Sequence, residues 1–335
     1  MPELTVAAGL ARGLMEFAIS RGADPAELAT RSEMGPSDLA DIDRRIPFEK
    51  YVSLMRAGKE LAQDPALALH YGEANDMADV SVVGLIAYAC ETMAEAMVQV
   101  NRYGRLVVEF DGPQERFALV PRDGGLWAVD NRANPNTFPE LTESTFARMI
   151  CGPRRFGVMT LAKAVHVTHP APAYRAEYER IYGAPVTFEA AWNAVQLDEK
   201  WLTHKISVQP RYVFGILSEH ADALLKSLEN SKTTRGRVES LLMPILHKGE
   251  ANMDAIADKM GVSRQTLFRQ LKAEGTTFEK VLDELRHQLA LQYLRAKKAS
   301  VNETAYLVGF SEPASFSRAF KRWTGVNPRE IRLLG

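Results

Sequence analysis

VGFSEPASFSRAFKRWTGVNPREIR, residues 308–332, is the stretch that decides the fold. Gly309 ends one helix and permits the left-handed backbone that a tight turn between crossed helices needs. Ser311 is placed to cap the next helix, and Pro313 falls in its first turn, where a missing N–H does no harm. Along that helix Phe316, Ala319, Phe320 and Trp323 recur at steps of three and four and predict a packed stripe, while Ser315, Arg318 and Arg322 share a polar, basic face. Amphipathicity of this kind belongs to any surface helix, so this helix alone does not assign a partner.

A second copy upstream does. MDAIADKMGVSRQTLFRQLKAEGTTF, residues 253–278, repeats the order of short helix, small residue at the crossing, glycine, serine and basic helix. Ala257 corresponds to Ala305, Gly261 to Gly309 and Ser263 to Ser311. Leu267 and Leu271 face inward and Arg264, Gln265, Arg269 and Lys272 outward, which together predict a tandem helix-turn-helix. Thr276 with Glu279 has capping-box spacing and opens a connecting helix to about Ala296; Ser300 with Glu303 repeats the device. A helix of about 20 residues spans about 30 Å, close to the roughly 34 Å repeat of B-DNA. One chain can then place two recognition helices in successive major-groove segments on one face of a duplex.

These residues resemble the DNA-binding domain of the AraC/XylS family of bacterial transcription regulators. The resemblance covers residues 235–334 and rests on IADKMGVSRQTLFRQLKAEG, on Arg286 with LALQYL, and on GFSEPASFSRAFKRWTGVNPREIR. It departs at Thr304, where the family usually has isoleucine. The stretches VHVTHPAP and YRAEYERIYGAPVTFEAAWNAVQL also resemble the ligand-binding amino-terminal domain of the arabinose-binding-like branch that includes regulators of ornithine utilisation. That resemblance implies a small-molecule effector without naming it, and the family implies activation through RNA polymerase.

Charge divides the chain in the same place. From residue 235 onward there are 17 Lys+Arg against 11 Asp+Glu, a net of +6; the preceding residues carry 24 against 31, a net of −7. A basic tail on an acidic body fits a nucleic-acid module joined to something that does not bind DNA. Cys90 and Cys151 are the two cysteines of the chain, so a disulfide framework is not implied and a reducing cytoplasm is expected, nucleoid-associated when DNA is bound. The first residues lack a signal-peptide pattern, and VVGLIAYAC is too short to span a bilayer, so no membrane is expected.

Residues 6–101 read mainly as helices, with starts at Pro25, Pro36 and Phe48. From Leu106 the period shortens, and RLVVEF, ERFALVP and GLWAVDN, separated by DGPQ and RDGG, predict an antiparallel meander. A helix over 141–155, a strand at 165–168, the helix AYRAEYERIYG and a strand pair VTFEA/NAVQLDE follow. The expected architecture is an α+β effector-binding domain at 1–205, a helical linker at 206–234 and an all-α tandem helix-turn-helix domain at 235–335. In the linker Phe214, Leu217, Ala221, Leu224 and Leu228 form a narrow seam fit for homodimer contact or for packing on the chain itself, and SKTTRGR reads as a hinge.

Arg264, Gln265, Arg269, Ser315 and Arg318 are the candidates for base or nearby phosphate contact, and Lys321 and Arg322 for phosphate. Phe268 suits either packing or a thymine methyl. His166 and His169 lack accompanying ligands, so no metal or cofactor is expected. Phosphate-loop, dinucleotide, nucleophile-elbow and zinc-protease motifs are missing, and the chain is not read as an enzyme. Two rivals remain: a dimeric regulator without an effector, and an enzyme fused to such a tail, which needs a reactive cysteine that neither IAYACETM nor ARMICGPRR supplies.

Overall fold

The computed structural model describes residues 4–113, 115–159, 161–206, 211–249 and 251–334. Gln114, in the expected DGPQ turn, and linker residues 207–210 lie outside them. The chain divides into two compact units, Met1–Leu225 and Lys226–Gly335. The first is α+β, and the regular elements described in the second are all helices.

In the first unit β1 (Thr5–Ala7) pairs antiparallel with β2 (Arg45–Pro47). The main sheet holds β3 (Phe117–Arg122), β4 (Gly125–Asp130), β5 (Ala162–His166), β6 (Val186–Thr187) and β7 (Ala194–Leu197), in the order β3-β4-β7-β5-β6. Side chains alternate across it, as a strand period of two requires. Phe117, Ala128, Val165, Val195 and Leu197 join the large core beneath helices Leu67–Ala74, Glu140–Cys151 and Arg175–Tyr182. Trp127, Val129 and Ala194 form a smaller cluster with Trp192, and His166 lies 4.5 Å from the Trp127 ring. Among the described residues no group of His, Cys, Asp or Glu is arranged to hold a metal, and no helix is long and apolar enough to cross a membrane.

Two expectations for this sheet need correction. RLVVEF is not a strand: helix Met93–Val107 takes its first three residues, because Leu106 and Val107 lie three and four residues beyond Tyr103 and are buried with it. Val108 then makes a single bridge to Val6. The strands in VTFEA and NAVQLDE do form but are not partners, since β5 lies between them. The helix Arg175–Tyr182 makes the β5-to-β6 connection a crossover, which joins those two strands in parallel, while β7 pairs antiparallel with β5.

Where β4 ends, Arg116 donates to both oxygens of the buried Asp130 carboxylate at 3.2 and 3.0 Å, and Arg132 Nε lies 3.2 Å from it. Burial alone would raise the Asp130 carboxyl, but the two guanidinium groups more than offset this and hold it below the ordinary range. Burial also lowers Arg132, to about 10, with Arg116 adding to the shift. Removing a buried partner leaves charge uncompensated, so Asp130→Ala is expected to cost about 3–5 kcal/mol in urea unfolding at neutral pH. A carboxyl depressed in the folded state stabilises above its unfolded pKa of about 4, and that contribution is lost as pH falls through the lower folded value. The gap between parent and variant should therefore narrow under acid; a gap that stays constant down to strongly acidic pH would refute the linkage.

Candidate nucleic-acid interface

The second unit is built on a core of Ile256, Ala257, Leu267, Leu271, Leu285, Leu294, Ala305, Phe316 and Phe320. Its first helix-turn-helix comprises Met253–Lys259 and Arg264–Ala273. Gly261 makes the turn at φ +68°, and the Ser263 hydroxyl accepts from Thr266 N–H at 3.1 Å, as an N-cap serine should. Leu267 and Leu271 are buried on the inner side. Arg264, Gln265, Arg269 and Lys272 are exposed, and so is Phe268, at 51 % of its full area.

Val301–Leu307 and Pro313–Thr324 form the second copy. Ser311 does not cap it: Pro313 occupies the first turn, so the cap position falls on Glu312, which makes no side-chain cap bond. Phe316, Ala319 and Phe320 are buried and Trp323 is half-buried. Ser315 is half-buried, whereas Arg318, Lys321 and Arg322 are exposed. Arg318 Nη2 donates to Ser315 Oγ at 3.0 Å. Thr304, the residue that departs from the family pattern, is fully buried, and its hydroxyl is satisfied by the Ser300 carbonyl at 2.8 Å.

The helix Phe278–Arg295 joins the two copies and, at 18 residues, is about 27 Å long. Its cap is Thr277, one residue later than expected, with Oγ1 accepting from Lys280 N–H at 3.2 Å. Thr276 closes the preceding turn instead: its N–H reaches the Leu271 carbonyl at 3.0 Å beside Gly275 at φ +72°, and its hydroxyl is buried without a hydrogen-bond partner. At Ser300 and Glu303 both bonds of the capping box are made, at 2.7 and 3.2 Å. Within SKTTRGR, expected as a hinge, residues 234–237 are helical: Thr233 caps helix Thr234–Leu242, and the Glu274 carboxylate accepts from the backbone of Thr234 and Arg235 at 2.6 and 2.9 Å.

Two connector side chains hold the second recognition helix. Arg286 donates to the Val308 and Gly309 carbonyls, both at 3.1 Å, with its guanidinium 4.7 Å from the Phe310 ring centroid. Burial lowers its pKa, against the opposing pull of Asp283. Asp283 accepts from Arg322 at 2.8 Å and Trp323 Nε1 at 3.3 Å. Sequence reasoning missed Asp283, since a carboxylate on a connecting helix announces no partner forty residues away.

Comparison with known proteins places both units. Residues 22–206 match the family described as the arabinose-binding domain of AraC transcription regulators, N-terminal. Residues 256–333 match a helix-turn-helix domain. Over 330 residues the chain is 26% identical to the Ornithine utilization regulator of Pseudomonas aeruginosa, covering 96% of this chain and 94% of that one. It is 40% identical over 141 residues to the HTH-type transcriptional activator RhaS of Escherichia coli, covering 41% of this chain and 49% of that protein. Among solved structures it is similar to the transcriptional regulator CdpR from Pseudomonas aeruginosa, at 22% identity and a TM-score of 0.39, over 95% of this chain and 98% of that one.

The two turn glycines are not equivalent. A Cβ at Gly309 would stand 2.2 Å from the Leu246 carbonyl oxygen, whereas at Gly261 it would meet open space. Gly261→Ala should lose about 1–2 kcal/mol for its left-handed backbone alone, and Gly309→Ala more, by urea unfolding of the two variants. Equal losses would show that the approach to Leu246 is unimportant.

Proposed function

We propose, from the premise that this chain belongs to the AraC family of DNA-binding transcription regulators, that it is an effector-controlled activator of promoters. In this reading residues 1–205 bind a small molecule, 206–234 link and dimerise, and 235–335 bind double-stranded promoter DNA and bring RNA polymerase to it. The observation that carries the proposal is the pair of exposed polar helix faces, each behind a fixed glycine turn, joined by a connector about 27 Å long. That length suits two passes into the major groove on one side of a duplex.

Arg264, Gln265, Arg269, Ser315 and Arg318 are the residues we assign to base edges or nearby phosphates, with Lys321 and Arg322 on phosphate. Two of these side chains carry exposed ion pairs, Arg264 with Asp254 at 2.7 Å and Arg322 with Asp283 at 2.8 Å. Pairs of this kind are worth about 0–1 kcal/mol, so a phosphate competes readily for either arginine. The bond to Ser315 fixes where Arg318 points, a benefit for a guanidinium that reads guanine edges.

Activation is favoured by the likeness to RhaS, a transcriptional activator, and effector control by the family of the first domain. An effector acts by binding one conformational state more tightly than another. For a homodimer the seam expected on helix Arg211–Ser231 is partly consumed, since Ala221 is fully buried and Leu228 nearly so. Tyr212, Val213 and Ile216 on the same helix are exposed apolar residues, and we place the partner copy there. Both cysteines are buried, and burial pushes the Cys90 thiol up to about 12 and raises Cys151 as well, the reverse of a reactive setting.

Occupancy of the tagged protein mapped in cells should give discrete promoter peaks with two elements about one helical turn apart; featureless occupancy across growth conditions and metabolite additions would defeat the proposal. In gel-shift titrations Arg318→Ala should cost about 1–3 kcal/mol at the preferred operator and relax specificity there, whereas Lys321→Ala should weaken all sequences alike and lower the salt slope by about 1.

A further inference from the structure

We propose that the cavity beside helices Met93–Val107 and Glu140–Cys151 of the first unit binds a small carboxylic acid, with the carboxylate on Arg148 and the apolar body against the walls. The proposal rests on the reading that the first domain takes a small-molecule effector, and it adds the chemistry of that effector. About 150 Å³ of open space is walled by Met93, Met97, Phe117, Met149, Phe156 and Trp201. Phe117, at the start of β3, supplies one wall from the sheet.

Arg148 lines this apolar space at only 9 % exposure. Its Nε and Nη2 have no hydrogen-bond partner, and no carboxylate forms an ion pair with it among the described residues. Its close neighbour is Tyr71, a neutral group whose ring lies 5.5 Å from the guanidinium carbon and whose hydroxyl interacts with the guanidinium without supplying a counter-charge. The same unit treats its other buried arginines differently, pairing Arg116 and Arg132 with Asp130. A dehydrated, unpaired cation costs several kcal/mol, and a fold that retains one in a cavity has left the counter-charge to a ligand. Two further lining groups lack partners: Trp201 Nε1, an N–H donor at 4 % exposure, and Asn75 Oδ1, whose amide can be turned to donate. The carboxylate of Asp76, also on the lining, is already committed to Arg155, to the Tyr88 hydroxyl at 2.5 Å and to Ala78 N–H at 2.9 Å. One cation and a nearby N–H donor match one carboxylate, while the walls suit an alkyl or aryl body.

The test is calorimetric titration and thermal melting of the full chain with hexanoate, octanoate and phenylacetate against the alcohols of the same skeletons. At least one acid should bind, raise Tm and exceed its alcohol at least about tenfold, a difference of 1.4 kcal/mol. Arg148→Met should melt higher than the parent when free, because an unpaired charge has been removed. It should also bind that acid about 30-fold more weakly or worse, as loss of one member of a buried charge pair does, and keep its affinity for the alcohol. Arg148→Lys should retain part of the preference. The proposal is overturned if no acid binds at millimolar concentration, if acid and alcohol bind alike, or if Arg148→Met leaves acid affinity unchanged. A broad metabolite panel separates the two levels: an effector of other chemistry that is indifferent to Arg148→Met removes the carboxylate assignment and keeps effector control, whereas a panel in which nothing shifts melting or operator affinity removes both.

Discussion

The recognition half of this protein depends on one close approach, that of the Gly309 backbone to the Leu246 carbonyl, with no room for a Cβ between them. Contact at this distance places helix Val301–Leu307 against the turn Met243–Lys248, and from it the next helix departs at a fixed angle. Arg286 then holds the departure by donating to the carbonyls of Val308 and Gly309, groups that the end of a helix leaves without partners. Asp283, nearly one turn earlier on the same connector, accepts from Trp323 Nε1 near the far end of the recognition helix, and its exposed pair with Arg322 adds little to that hold. That helix is thus held at both ends by one connector, and its outward face is set before any nucleic acid arrives. Preorganisation of this sort lowers the ordering cost of binding.

Much of this second unit was legible in the sequence because its signals are local. A glycine at a turn, serine caps, a capping box and apolar residues at steps of three and four each act over a few residues, and the sequence repeats them twice. The errors were local too. Thr276 and Thr277 are chemically interchangeable as caps, and only the backbone shows that the helix starts one residue later, with Thr277 as its cap. Ser311 lost its place to Glu312 because Pro313 fixed where the helix begins.

The first unit was legible in class but not in detail. Its strands are short, and their order is decided by crossovers rather than by neighbours in sequence. RLVVEF has β-branched residues and an apolar run, yet Tyr103, Leu106 and Val107 complete a helical face, and burial of that face outweighed strand propensity. Arg148 stands alone among the apolar residues of FARMIC, which was the one available sign that something polar is held inside. Without the fold, that arginine reads equally well as the solvent side of an amphipathic helix.

Position gives the cavity a route to the rest of the chain. Met93, Ala96, Met97 and Val100 line it at helical spacing, so they form one face of helix Met93–Val107. Other residues of this helix hold the start of the linker helix: Glu95 accepts from Arg211 at 2.6 Å, the Tyr103 hydroxyl donates to Asp222 at 2.8 Å, and Arg102 pairs with Asp222 at 2.9 Å. On the carboxylic-acid proposal, a ligand that favours one position of Met93–Val107 over another also acts on the turns of the linker helix that these residues hold. Interior packing supports such transmission, because a close-packed helix shifts between discrete arrangements instead of deforming smoothly. The exposed Tyr212, Val213 and Ile216 lie in the same turns of the linker helix, between Arg211 and Asp222. In the proposed reading, the effector and the partner copy would both act on these same few turns of helix.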